Sequence, residues 1–363
     1  MTTQATPAGV YPTGTAGIAR KWDQHAWASE IIPDANAQAL PAWHRRPLAV
    51  FGHRLFWLWF GCWVVGVALA FVYVKTHSPI VLQAAAVVAP AGTLWAVLLF
   101  LRRRLLLVEA ISLRAWIGWG LVAGVVASLL APVIEGSWER LIGADTIDWR
   151  VLIIAGPVEE ACKILVPVIL YLFGRYRDPR AGIALALASG MIFGWFEGWG
   201  YISHAVEIAQ DASGYVHHPQ VVPHGGVSGD SAVVAMAIQR PLVELMHPLL
   251  ATFIAAWAWR AGWVRHRFWP VLIGAWLIAA AIHSANDVST AMGALVIGGF
   301  LIQIFEYFVV TRPAARGSTP PDALALNPPR WRPRIPPRGQ RLPTPVAGVG
   351  QLPQPESPAA APQ

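Results

Sequence analysis

The stretch LFWLWFGCWVVGVALAFVYVKTHSPIVLQAAAVVAPAGTLWAVLLFL, from Leu55 to Leu101, contains a single charged residue, Lys75. A helix of roughly 20 residues crosses a hydrocarbon layer about 30 Å thick, and this run is long enough for two. A water-soluble fold could not hide so much continuous apolar surface. Outward from this stretch the pattern recurs: apolar runs at about 55–74, 79–101, 116–134, 151–173, 181–204, 241–259, 268–287 and 290–310 predict eight spans. All should be helices, because a backbone in lipid must satisfy its own hydrogen bonds. The composition agrees, with 55% of the 363 residues hydrophobic and 13% charged, against about 25% charged in a soluble domain. The expected fold is all-α, a polytopic membrane helix bundle of about eight transmembrane helices.

A net charge of +7 would suit nucleic acid, but the basic residues lie between the spans and in the tails, where membrane topology accounts for them. No nucleic-acid partner is expected; the lipid bilayer is the surrounding partner. Of the 27 lysines and arginines, 22 fall on one side of the predicted spans and four, Lys75, Arg140, Arg150 and Arg240, on the other. The positive-inside rule then puts both termini in the cytoplasm. An odd number of spans would have mixed the two sets. Cys62 and Cys162 both sit in apolar runs and read as small buried residues, not as a disulfide framework.

Four sections follow. Residues 1–54 form a polar cytoplasmic segment without a removable signal peptide, residues 55–150 carry accessory helices one to three, and residues 151–310 carry helices four to eight. Residues 311–363 form a Pro- and Arg-rich tail expected to be disordered, a basic stretch near anionic lipid or a Pro-rich docking segment. The 205–239 connection is read as an external loop, and its His217, His218 and His224 as solvated residues. No internal repeat of the transporter kind is present.

An ionisable side chain at bilayer depth costs at least about 2.5 kcal/mol on insertion scales, so each one asks for a function. Span four holds Glu159, Glu160 and Lys163 within about one turn, so the lysine can pair with either acid, at i+3 or i+4. A pair that only locks packing would need one acid. Span five carries Glu197 beside a seam of small residues, Gly182, Ala186, Gly190, Gly194 and Gly198, which permits close helix contact and turns Glu197 inward, with Tyr201 and His204 continuing its face. Arg240, Glu244 and His247 share a face at the start of span six, and His283, with Asn286 and Asp287 a turn later, closes span seven. At 1.5 Å per residue these groups lie about 6 to 12 Å below the outer ends of their helices. Helices of alternating direction thus bring their polar groups to one level in the outer half of the membrane.

Acids with two histidines suit hydrolysis in two ways. Three ligands, here Glu197, His247 and His283, hold zinc and leave a position for water; or a glutamate activates water directly while a histidine with Asn286 or Asp287 steadies the oxyanion. A proton-coupled carrier using the acids as a relay, and a non-catalytic scaffold, are the rival classes. A relay needs polar steps through both leaflets, which the bunching at one depth does not provide.

Glu159-Glu160-x-x-Lys163, Phe193-x-x-x-Glu197, His247 and His283-x-x-x-Asp287, each in its own span and in this order, resemble the PrsW family of intramembrane proteases, related to CAAX prenyl proteases and bacteriocin-processing proteins. The likeness covers about 151–290. The wider group has a histidine where this chain has Glu197, which favours PrsW. The resemblance implies an endopeptidase of the bacterial plasma membrane that cleaves a single-pass, membrane-anchored regulator near the extracytoplasmic face. It also implies catalytic roles for Glu159, Glu160, Glu197, His247, His283 and Asp287, with Lys163 and Phe193 in support; Glu244 and Asn286, which neighbour these residues in sequence, are read as further supporting residues.

Overall fold

The computed structural model describes residues 7–15, 18–28, 30–33, 54–105, 107, 110–143, 149–206, 229–291 and 302–319. Eight long helices carry the fold: α1 (Arg54–Thr76), α2 (Pro79–Arg104), α3 (Leu113–Ile142), α4 (Trp149–Leu172), α5 (Pro179–Ser203), α6 (Gly229–Val243), α7 (Met246–Arg265) and α8 (Phe268–Ala291). Five helical segments of the described residues are long and apolar enough to cross a membrane. Exposed apolar side chains such as Trp57, Phe71, Ile273 and Leu277 cover the outside, as a lipid-facing surface requires. The protein is a helical membrane bundle.

α5 is its axis. Every residue from Pro179 to Gly194 is buried, and α2, α3, α4 and α7 pack around it. Asp178 caps the helix by accepting from the Arg180 amide, with Pro179 in the first turn, where a missing N–H is harmless. The small-residue seam permits the closeness. A Cβ on Gly190 would come within 2.7 Å of the His247 carbonyl and Pro248, and one on Gly194 within 3.0 Å of Glu244 and His247. The α1–α2 hairpin lies at the edge, and in α1 only Leu55, Gly66, Ala70 and Tyr73 are buried.

Three expectations change. The sixth span starts earlier: the supposed loop is helical from Gly229, where Ala232, Val233, Met236 and Ala237 pack against α1, α2 and Ile202. That apolar run is too short to read as a span and is masked by the Gly- and His-rich stretch before it. The span is also broken, since α6 stops at Val243 and α7 begins at Met246, with Pro241 before the break and Pro248 after it. Secondly, the N-terminal segment carries a small antiparallel sheet, β1 (Gly9–Thr15), β2 (Ile18–Trp22) and β3 (Ile32–Pro33). The Trp27 indole donates to the Thr319 carbonyl at 2.9 Å and the Trp263 indole to that of His25 at 3.1 Å, so the sheet is tied to the end of α7 and to the last helical segment. Thirdly, the expected tail begins as helix: residues 302–306 run through a π-helical turn at Tyr307–Thr311 into α9 (Arg312–Gly317). Residues 292–301 of the predicted eighth span, His217, His218, His224 and the tail from 320 lie outside the described residues. Cys162 is buried and Cys62 half-buried, and both are free thiols.

The seam makes a prediction. Gly190→Val forces two methyls against the α7 backbone, an overpacking that costs about 1–3 kcal/mol. Because the displaced backbone is that of His247, cleavage activity should fall at least as much as stability, read by detergent unfolding and by proteolysis in vesicles. Wild-type values for both would refute close packing at this point.

Candidate active site

Two sets of contacts bring the polar residues together. α4 meets α8 at Gly156, where a Cβ would strike the Ala280 carbonyl and the Ser284 side chain. Ser284 Oγ donates to the Ile153 carbonyl at 2.7 Å, and the Trp276 indole donates to the Pro157 carbonyl at 3.0 Å. Those bonds set the register in which Glu159 and Glu160 face His283. On the other flank, Ser189 Oγ donates to the Lys163 carbonyl at 2.7 Å, joining α5 to α4. The break after α6 then delivers Glu244 and His247 to the same level. Irregular backbone at membrane depth is tolerated where it is buried in protein or lines a cavity.

Lys163 is fully buried, and its ammonium is 2.8 Å from Glu160 Oε1, 3.1 Å from Glu159 Oε2 and 2.7 Å from His247 Nδ1. The Phe193 ring closes over it at 4.5 Å and also packs edge-on against the His247 ring. His283 Nδ1 is 2.8 Å from Glu160 Oε1. Its Nε2 faces Glu159 Oε2 and Asp287 Oδ2, both at 3.5 Å. His247 Nε2 lies 2.7 Å from Glu197 Oε2 and 2.9 Å from Glu244 Oε2, and Nδ1 is 3.6 Å from Glu159 Oε2. The two imidazole rings stand 5.3 Å apart.

Carboxylates accept, so these contacts assign the tautomers. His283 donates from Nδ1 to Glu160 and His247 from Nε2 to Glu244, which leaves His283 Nε2 and His247 Nδ1 as lone-pair nitrogens flanking Glu159 Oε2. A carboxylate behind each ring is the usual support of a metal-binding histidine. The separations of 3.6 and 3.5 Å match the edge of a tetrahedron with bonds of about 2.0–2.2 Å, the zinc range. Glu159, His247 and His283 therefore form a buried donor set that fits a metal ion, and Glu197, Glu244 and His247 form a second. The ligand set expected from the sequence, Glu197 with both histidines, differs from both of these. The second set already has a cation, since Arg240 lies 2.8 Å from Glu197 and 2.7 Å from Glu244 while its guanidinium stacks on Tyr201 at 3.6 Å. In the first set Lys163 shares Nδ1 of His247, so an ion there would have to displace that hydrogen bond.

Asn286 is buried next to Asp287. His204 turns away: it is exposed, with Nδ1 2.9 Å from the Gly200 carbonyl of its own helix.

A family model described as PrsW family intramembrane metalloprotease matches residues 109–312, more than half of the chain. The chain belongs to the PrsW family. No curated protein and no solved structure matches it. As a PrsW member it is an intramembrane protease and a multi-pass membrane protein, acting on membrane substrates within the bilayer, and its buried Glu and His groups are able to bind a metal. The match starts ahead of α3, not at 151, and so takes in a helix read from sequence as accessory. That helix holds an acid the sequence reading passed over, Glu135. The predicted span closed at Ile134, one residue short of it. Arg240, counted among the external charges and expected to share a face with Glu244 and His247, has its side chain mostly buried between Glu197 and Glu244.

Proposed function

We propose that this PrsW-family protease cleaves a single-pass, membrane-anchored regulatory protein near the extracytoplasmic face of a bacterial plasma membrane, with its own termini in the cytoplasm. Glu159, His247 and His283 hold the metal ion, and Glu160, Glu197 and Glu244 fix the two rings. The observation that carries the reading is Glu159 Oε2 at 3.5 and 3.6 Å from a lone-pair nitrogen of each histidine. A zinc ion held there would polarise the scissile carbonyl and lower the pKa of water to about 7. Glu197 and Asp287, each 23% exposed, are the carboxylates on the open side of the cluster. Glu197 is committed to Arg240 and His247, which leaves Asp287 to accept the proton from the attacking water. Lys163 holds the adjacent acids in place. The skewed distribution of basic residues supports the orientation, and a tail accessible from outside intact cells would overturn it.

Reconstitution of the full chain in vesicles with a single-pass substrate tests the reading. Cleavage should stop when a chelator strips the protein and return on addition of zinc. Chelator-resistant cleavage that is still lost in Glu159→Gln would replace the metal with direct glutamate catalysis. Absence of cleavage across a panel of single-pass substrates would count against the substrate class.

A further inference from the structure

Glu135 sits in the C-terminal half of α3, where its neighbours Val133 and Ile134 are exposed on the apolar outer surface of the bundle. Ala127 and Ala131, two turns and one turn before it, pack against Cys162 of α4 and Phe193 of α5, and Val158 adjoins the same cluster. Position 135 continues that inward row at i+4. That row faces Val158, Cys162 and Phe193, the residues that flank Glu159, Glu160, Lys163 and Glu197 along α4 and α5. Yet Glu135 belongs to neither donor set able to hold an ion. Its Oε1 is buried and has no hydrogen-bond partner among the described residues. A buried acceptor left unsatisfied is expensive, and more so at bilayer depth, so it calls for a partner from outside the chain.

Intramembrane cleavage supplies one. A transmembrane substrate arrives as a helix whose backbone groups bond one another and shield the scissile carbonyl. Opening a turn frees N–H groups that lipid cannot satisfy. We propose that Glu135 is a substrate-positioning residue whose Oε1 accepts a hydrogen bond from a backbone N–H of the unwound substrate, across from the groups that act on its carbonyl. This rests on the protease reading above. The residue holds the strand extended in the site and takes no part in bond breaking. The Oε1 of a carboxyl group accepts such a bond, and the amide oxygen of glutamine serves the same purpose.

The test uses the full chain in vesicles with a cleavable single-pass substrate, comparing wild type, Glu135→Ala and Glu135→Gln for kcat, KM, zinc content and resistance to detergent unfolding. Glu135→Ala should lower kcat/KM about 10-fold, as for a buried hydrogen-bond partner left unsatisfied, mainly through KM and with zinc content unchanged. Glu135→Gln should recover most of the loss. A proline scan through the substrate's cleavage region should find one position where removing the N–H slows the wild type but slows Glu135→Ala no further. Equal kinetics in wild type and Glu135→Ala overturn the proposal, as does a folded Glu135→Gln as impaired as the alanine variant. Should wild type cleave no membrane substrate while retaining zinc, the protease reading fails first and this inference with it.

Discussion

His283→Ala is expected to abolish cleavage, by at least about 1,000-fold, the scale of losing the group that stabilises or generates the nucleophile. The same change should lower the zinc content of the purified protein. The ring is held from both sides: Nδ1 donates to Glu160 at 2.8 Å, and Nε2 faces Glu159 and Asp287 at 3.5 Å. Removing it takes a donor from the set and leaves Glu160 facing only Lys163. Glu160→Gln is the informative companion. It keeps an oxygen near Nδ1 but weakens the support of the ring, a change worth about 10–100-fold in affinity or activity. A ligand and its supporting residue thus predict different magnitudes, and the ordering separates them. A His283→Ala protein that folds, retains zinc and cleaves within tenfold of wild type would remove His283 from the chemistry. The measurement is cleavage rate in vesicles alongside metal analysis of the same preparation.

What the sequence discloses about this site follows from how regular a helix is. Glu159, Glu160 and Lys163 lie within four residues on one helix, so their meeting is simple arithmetic, and the distances of 3.1 and 2.8 Å agree with it. The seam from Gly182 to Gly198 likewise identifies the close-packed face of α5, because only small side chains admit a backbone at such range. Partners between helices are another matter. Whether His247 or Asp287 lies next to Glu159 depends on rotation and register, which are set by bonds such as Ser284 to Ile153 and Ser189 to the Lys163 carbonyl, and no spacing rule encodes those. The break between Val243 and Met246 was hidden for a related reason. Pro241 and Pro248 were visible, but a proline in a membrane helix often leaves the helix continuous when neighbouring groups satisfy the freed backbone. Glu135 escaped because a single acid at a span end resembles an interfacial residue until packing turns it inward. The N-terminal sheet is short, and its anchoring to Trp263 and Thr319 joins parts of the chain too distant in sequence for any local pattern.

Lys163→Met should be the most destabilising single change in the cluster. The lysine is completely buried, and its ammonium donates to Glu160 at 2.8 Å and to His247 at 2.7 Å and pairs with Glu159 at 3.1 Å. Methionine fills nearly the same volume, so packing against Phe193 changes little and the effect isolates the charge. Without the ammonium, Glu159 and Glu160 face each other's charge on one helical turn, Glu160 fully buried. Breaking a buried ion pair by removing one partner costs about 3–5 kcal/mol, because the remaining charge stays desolvated. Arg240 is tied up by Glu197 and Glu244 and offers no replacement. Detergent unfolding should therefore show a large loss for Lys163→Met and a partial recovery in the double variant Lys163→Met with Glu160→Gln, since the second change removes one of the stranded charges. Zinc should also narrow the gap between Lys163→Met and wild type, because an ion bound by Glu159, His247 and His283 supplies positive charge beside the same acids and stabilises the folded state by mass action. The double variant would remain inactive or weakly active through the loss of Glu160, so stability and cleavage should separate. If Lys163→Met unfolds at the wild-type detergent concentration, the acids are reached by water or by another cation, and the buried ion cluster described for α4 is not what holds them.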